Sequence, residues 1–176
     1  MINQQHLKAL KTIHEKLKSA NVNWVLGGST NLALQGVNIN PRDIDILTDK
    51  KGAFIIEALL KDFRIRKVEF TKSEKIASYL GKFMVEGVEV EVMGDVQIRT
   101  ERAWAKPLSP WRKKILKTEG MEIPLTPLDV ELEAYRRLGR MDRVQKYWKL
   151  CLKPFENHVA YRLCLGVWHG YYEPLS

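Results

Sequence analysis

Cysteine is scarce in this sequence. Only Cys151 and Cys164 occur among the 176 residues, too few for the disulfide framework on which small secreted domains depend. Such usage is typical of a reducing compartment, where both side chains serve as small core residues. We therefore expect the protein in the cytoplasm, and we expect no chemistry from its cysteines.

Long apolar stretches are also missing. No run approaches the roughly 18 residues that a membrane-spanning helix needs. The first six residues lack the basic region and apolar stretch of a secretory leader. Membrane partners and secretion are therefore not expected, and the four histidines (His6, His14, His158 and His169) lack the spacing of metal ligands.

The composition is that of a globular protein with an excess of basic residues. Hydrophobic residues make up 45% and charged residues 28% of the chain, and the mean hydropathy is -0.29. The net charge of +8 favours polyanionic partners such as nucleotides, nucleic acids or acidic proteins, but it also suits a solubilising surface. Charge alone does not decide between these two interpretations.

Hydrophobic spacing predicts an alternation of helices and strands in the first half of the chain. Apolar residues recur three and four positions apart from His6 to Ala20, which predicts an amphipathic helix. A strand, a helix, a second strand and a third helix are predicted next, at Trp24–Leu26, Thr30–Leu34, Asp43–Leu47 and about Lys50–Lys61. Two further strands form a predicted hairpin around the turn Glu86-Gly87, at Ser78–Val85 and Val88–Met93.

Helix signals dominate the end of the chain. Thr126 is the expected N-cap of a helix with Pro127 in its first position, and Gly139 is the expected end. A further helix is predicted at about Met141–Leu152, and a last helical stretch reaches about Leu165. The apolar character of these helices is compatible with a homodimer.

Residues 94–125 are interrupted by prolines, and the only element predicted there is a hairpin across Glu119-Gly120. The chain as a whole therefore fits the α+β class. We expect a core at residues 1–125 and a helical C-terminal extension, packed on the core, at residues 126–176.

Acidic residues recur every second position on two of the predicted strands. Asp43 and Asp45 share one strand face, because side chains alternate along a strand. Two carboxylates held this close repel each other and favour a hard divalent cation such as Mg²⁺. Glu89 or Glu91 of a later strand can supply a third carboxylate, and three carboxylates can hold the two ions of a phosphoryl-transfer site.

A glycine turn precedes this acidic strand. Gly27-Gly28-Ser29 joins a predicted strand to a predicted helix. Glycine lets the backbone approach a phosphate closely, and a helix N-terminus offers free N–H groups to negative charge. The turn therefore predicts a place for the phosphates of a nucleotide.

The order of these motifs resembles the DNA polymerase beta-like nucleotidyltransferase superfamily. Its signature, hG[GS] followed by DhD, is similar to Trp24–Ser29 followed by Asp43–Leu47. The later segments Ile123–Leu128 and Arg136–Arg140 resemble small bacterial and archaeal members, including lincosamide and aminoglycoside nucleotidyltransferases and AbiEii-like and minimal enzymes. The resemblance implies a core of mixed β-sheet flanked by helices.

The resemblance also implies residue roles. Asp43, Asp45 and Glu91 would be the catalytic, metal-binding carboxylates, with Glu91 favoured over Glu89 because two apolar residues follow it in the family pattern. Binding of the nucleotide phosphates would fall to the glycine turn, namely Gly27, Gly28 and Ser29. Arg42 would contact a phosphate or screen the carboxylates.

This chain departs from the family pattern in one feature. Many members carry a lysine on the helix before the Gly-Arg pair, where it contacts the nucleotide. Tyr135, Arg136 or Arg137 occupies that neighbourhood here. Whether this contact exists in the present chain stays open.

The predicted function is transfer of a nucleoside monophosphate, with release of pyrophosphate, from a nucleoside triphosphate such as ATP to a hydroxyl of an unknown acceptor. Two Mg²⁺ ions are the expected cofactors, and the acceptor is a small molecule, an RNA or a protein. The alternative is a catalytically degenerate, nucleotide-binding or antitoxin-like module that acts by binding a protein or RNA partner.

Overall fold

The computed structural model describes residues 2–100, 103–105 and 112–152, with side chains described as far as Tyr147. The helices are α1 (Gln4–Leu17), α2 (Gly28–Leu34), α3 (Lys50–Leu59), α4 (Leu128–Arg137) and α5 (Met141–Leu152). The strands are β1 (Trp24–Gly27), β2 (Asp43–Thr48), β3 (Arg64–Lys72), β4 (Ile76–Val85), β5 (Val88–Ile98), β6 (Lys114–Thr118) and β7 (Met121–Leu125). A 3₁₀ turn, Lys61–Phe63, connects α3 to β3.

The seven strands form one mixed sheet in the order β3-β4-β5-β2-β1-β7-β6. Strand β2 lies at the centre, antiparallel to β1 and parallel to β5. The α+β prediction is confirmed, and the central strand is the one that carries Asp43 and Asp45.

Both predicted hairpins are present. The first pairs β4 with β5 around Glu86 and Gly87, which both have positive φ, and the second pairs β6 with β7 around Glu119 and Gly120, again both at positive φ. These dihedral signs are those of the two-residue turns that match the twist of antiparallel strands. Strand β5 runs five residues beyond its predicted end at Met93.

Two local predictions are wrong. No element was predicted at Arg64–Lys72, which lacks a clean apolar alternation; these residues form strand β3, which is largely exposed and pairs along β4 at the edge of the sheet. Pro127, not Thr126, is the N-cap of α4. The Thr126 N–H donates to the carbonyl of Leu26 at 2.9 Å, so the backbone of this residue extends the β1–β7 pairing, and its hydroxyl makes no capping hydrogen bond to the described part of α4.

The main core lies between the sheet and the helices α1 and α3. Ile44 and Ile46 of β2 are fully buried in it, together with Val90 and Val92 of β5. Strand alternation then places Asp43 and Asp45 on the opposite face. The apolar side of the central strands thereby fixes which way the acidic side chains point.

A smaller apolar cluster lies on the side of α2, α4 and α5. Its buried members are Leu32, Val37, Leu132, Tyr135, Val144 and Tyr147. In this way α4 and α5 are attached next to the glycine turn. The last predicted helical stretch, to about Leu165, lies outside the described residues, and no helix within the described ranges is long and apolar enough to cross a membrane.

Candidate functional site

The acidic pair on β2 is anchored to the start of α2. The Ser29 hydroxyl donates to Oδ1 of Asp43 at 3.3 Å, and the Thr30 hydroxyl donates to the Asp43 carbonyl at 2.6 Å. Asp43 and Asp45 are both partly exposed, whereas Ile44 between them is fully buried. Both predicted aspartates therefore lie on one accessible face beside the predicted glycine turn.

Gly28 lies in direct contact with Asp45. The residue has φ +63°, and a Cβ at this position would lie 1.8 Å from Oδ2 of Asp45. Glycine is needed on both counts, since other residues are strained at this φ and the aspartate occupies the space. The preceding Gly27 is opposite Asp45 in the β1–β2 pairing. The turn and the acidic strand thus form one unit.

A buried glutamate that the sequence analysis did not select supports the turn. Oε1 of Glu131 accepts a hydrogen bond from the Gly28 N–H at 3.0 Å, and Oε2 accepts one from Nδ2 of Asn31 at 3.1 Å. The Asn31 amide also donates to the Thr126 carbonyl at 3.0 Å. Glu131 is 6% exposed. It therefore connects α4 to the glycine turn and to α2.

The sequence does contain a signal for Glu131. On α4, Leu128, Leu132 and Tyr135 recur at helical spacing and form the apolar stripe, and position 131 falls on that same stripe. A glutamate on a buried helix face needs hydrogen-bond donors, because an unpaired buried carboxylate is costly. A charged residue on an apolar helix face therefore indicates a functional or positioning role, and Glu131 could have been selected on this ground.

Both candidate third carboxylates lie beside the acidic pair. In the parallel β2–β5 pairing, Asp43 is opposite Glu89 and Asp45 is opposite Glu91. Lys82 of β4 lies across from Glu91, and its Nζ is 2.6 Å from Oε1 of Glu91 and 2.7 Å from Oε1 of Glu89. The structure brings all four acidic residues to one face and adds a lysine between two of them.

The electrostatics of Asp45 are those of a crowded acidic site. Shielding from water raises the pKa of its carboxyl to about 7, and the carboxylates of Asp43, Glu91 and Glu131 add to the increase. Arg140 acts in the opposite direction. The described side chains around Asp45 therefore carry more negative than positive charge. Such an excess favours the binding of a cation.

The pKa of Glu131 is raised to about 7 as well. Burial is the main cause, and the hydrogen bonds from Gly28 and Asn31 partly offset it. Arg140 and Arg143 lie over the ring of Tyr135, with guanidinium carbons 5.9 and 5.3 Å from the ring centre. Tyr135 thus lies next to Glu131, with two arginines over its ring.

The carboxylate oxygens of this site suit a hard cation, although they do not form a complete ligand set. Carboxylate oxygens such as those of Asp43 and Asp45 are ligands that Mg²⁺ prefers. Among the described residues, however, no three acidic, histidine or cysteine side chains are close enough together to hold one ion. The ion pairs of Lys82 engage one oxygen each of Glu89 and Glu91. Asp43 and Asp45 thus fit as ligands, and a glutamate that joins them as third ligand would bring the cation close to the ammonium of Lys82.

Arg42, the remaining predicted site residue, is exposed and directly precedes β2. It lies beside Asp43 in the chain, and the structure assigns it no hydrogen bond within this site. Its nucleotide-binding role stays a prediction.

Comparisons with known proteins show the family and the fold. The family model of aminoglycoside-2''-adenylyltransferase matches residues 9–147. A crystal structure of a candidate nucleotidyltransferase from Thermotoga maritima is 40% identical, with a TM-score of 0.76, over 85% of this chain and 94% of that chain. The crystal structure of ANT(2'')-Ia in complex with adenylyl-2''-tobramycin has 10% identity and a TM-score of 0.55, over 96% of this chain and 99% of that chain, and shows likeness of fold. A search of curated protein sequences gives no match.

The expected resemblance to nucleotidyltransferases is therefore confirmed. The family match covers β1, β2 and β5, which carry the glycine turn and the acidic residues, and it extends through α4. The chain belongs to the aminoglycoside-2''-adenylyltransferase family, within the nucleotidyltransferase superfamily.

Proposed function

We propose that this protein is a Mg²⁺-dependent nucleotidyltransferase that moves a nucleoside monophosphate from a nucleoside triphosphate to a hydroxyl-bearing acceptor. The observation that carries the proposal is the contact between Gly28 and Asp45 on the central strand. It unites the glycine turn with a carboxylate whose negative charge the described side chains do not balance. The family name makes ATP and an aminoglycoside the first donor and acceptor to test.

The proposed chemistry is an in-line displacement. The acceptor oxygen forms a bond to the α-phosphorus while the bond to the bridging oxygen breaks, and pyrophosphate leaves with that electron pair. Mg²⁺, when bound, would lower the pKa of the attacking hydroxyl and stabilise charge on the leaving group. Asp43 and Asp45 would hold it. Glu91 would act as further ligand and accept the hydroxyl proton.

The other described residues have positioning roles in this proposal. Glu131 keeps the Gly28 N–H and the start of α2 in place. The Ser29 hydroxyl donates to Asp43, and its place at the start of α2 would bring it near the nucleotide phosphates. Rigid support of this kind matters because phosphoryl transfer depends mainly on positioning and electrostatic stabilisation.

The first experiment is calorimetric titration of ATP, GTP, CTP and UTP with and without Mg²⁺. We compare the natural protein with Asp43→Asn/Asp45→Asn and with Asp62→Asn, an exposed control outside the site. Mg²⁺-dependent binding that is lost only in the double variant supports the proposal. Release of pyrophosphate is then followed with tobramycin and with RNA as acceptors.

A second candidate function is a partner-binding module with a degenerate site. It is favoured by the ion pairs of Lys82, since they engage the carboxylates that would complete a metal site. This alternative predicts no nucleotidyl transfer with any metal ion or acceptor, whether or not a nucleotide binds. Capture of an RNA or protein partner that the Asp43→Asn/Asp45→Asn variant retains, together with no transfer by the natural protein, would support it. Release of pyrophosphate by the natural protein would contradict it.

A further inference from the structure

Lys82 makes close ion pairs with the two glutamates that lie beside Asp43 and Asp45. Its ammonium lies between the carboxylates of Glu89 and Glu91, at 2.7 and 2.6 Å, and these hydrogen bonds raise the pKa of the lysine. The contact is built into the hairpin, because Lys82 is the cross-strand neighbour of Glu91. Cross-strand pairs of opposite charge are a stabilising feature of antiparallel strands.

The two glutamates differ in their surroundings. Glu91 is 24% exposed and is paired along β2 with Asp45, whereas Glu89 is 42% exposed and is paired with Asp43. Of the two glutamates, Glu91 is the one whose charge is among the main causes of the raised pKa of Asp45. Glu91 is thus the better third ligand, and Glu89 is the more solvated of the two.

We propose that Lys82 is the resident counter-ion of Glu91, and that it transfers its pairing wholly to Glu89 when a divalent cation binds at Asp43 and Asp45. This inference rests on the proposed metal site. It gives separate roles to the two carboxylates of β5: one ligates the cation, and the other retains the lysine.

Charge balance is the physical reason for the exchange. A divalent cation beside Asp45 repels the ammonium of Lys82 and attracts the carboxylate of Glu91. A lysine side chain has a long flexible stem, so a small rotation moves its ammonium from one glutamate to the other. Without Glu89, the displaced ammonium would lose its partner, and cation binding would become less favourable.

The test is Mn²⁺ affinity, measured by calorimetry without nucleotide. Lys82→Met removes the competitor, and we expect the association constant to rise about tenfold, as loss of one nearby positive charge at partial solvent screening implies. Lys82→Gln repeats the change with a polar side chain. Lys114→Met, an exposed lysine at the far edge of the sheet, is the matched control and leaves the affinity unchanged.

A double-mutant cycle separates the exchange from simple charge effects. In the natural background, Glu89→Gln leaves the displaced ammonium of Lys82 without a carboxylate partner, and we expect the Mn²⁺ affinity to fall about tenfold. In the Lys82→Met background, we expect the same substitution to lower the affinity about twofold. Equal decreases in the two backgrounds would show that Glu89 acts only through its charge. That result, or an unchanged affinity in both Lys82 variants, overturns the inference.

Asp45→Asn distinguishes this failure from failure of the metal site itself. If the natural protein binds Mn²⁺ and Asp45→Asn does not, the proposed site stands whatever the Lys82 variants do. If neither binds Mn²⁺, the proposed metal-dependent function and the inference are both overturned.

Discussion

Asp45 is expected to lower the stability of the metal-free protein, so Asp45→Asn should stabilise the fold while it removes activity. The pKa of this carboxyl is raised from 3.8 to about 7, mainly by shielding from water and then by the carboxylate of Asp43. The folded protein therefore holds the Asp45 proton more tightly than the unfolded chain. The contribution of Asp45 to stability is therefore most favourable below about pH 4, decreases as the pH rises from about 4 to about 7, and is constant above that.

The magnitude follows from this difference. A pKa difference of one unit corresponds to about 1.4 kcal/mol, so the ionised Asp45 lowers the free energy of unfolding by at most about 4 kcal/mol at pH 8. Local relaxation and water penetration reduce this figure, and we expect a gain of about 1–3 kcal/mol for Asp45→Asn at pH 8. The isosteric amide carries no charge, and no hydrogen bond of the Asp45 side chain is recorded in the described part of the chain.

The assay is urea unfolding followed by circular dichroism, in chelator, at about pH 8 and pH 4. The stabilisation should be present at the higher pH and largely vanish at the lower one, where Asp45 of the natural protein is protonated. Asp62→Asn serves as the control with an exposed carboxylate. A variant that is less stable than the natural protein at pH 8 would refute the reasoning, because it would mean that the charge of Asp45 is compensated in the fold.

Further substitutions test the support around this carboxylate. Gly28→Ala should abolish Mg²⁺-dependent nucleotide binding in calorimetry, because the new Cβ would take the place of Oδ2 of Asp45, and it should cost at least about 1 kcal/mol in unfolding. Glu131→Ala leaves the Gly28 N–H and the Asn31 amide without their acceptor, so we expect the free energy of unfolding in urea to fall by about 2–4 kcal/mol. Glu131→Gln should lower it by less, and equal losses would contradict the hydrogen-bond explanation. Phe83→Ala opens a cavity in the core and should cost about 3–5 kcal/mol, yet nucleotide affinity measured at low temperature should persist because Phe83 lies on the opposite face of the sheet from the acidic residues.

Strand alternation and turn chemistry made much of this arrangement predictable. The period-two pattern from Asp43 to Leu47 indicated both the strand and the shared face of its aspartates, since a buried apolar side requires a polar opposite side. The turn at Glu86-Gly87 fixes the pairing of β4 with β5, so the position of Lys82 across from Glu91 follows from counting outward along the hairpin. That neighbour was available to sequence reasoning and was not used.

Tertiary structure alone decided the contacts between segments that are distant along the chain. The hydrogen bond from Gly28 to Glu131 joins residues 103 positions apart, and no local pattern specifies which helix packs against the turn. The edge strand β3 is held by pairing with β4, which outweighs its weak local pattern. The sequence by itself determined the acidic strand and its glycine turn, because local periodicity and backbone sterics act within a few residues. Packing of α4 against α2 determined the buried glutamate and its effect on the site, because burial and charge proximity depend on where distant segments meet.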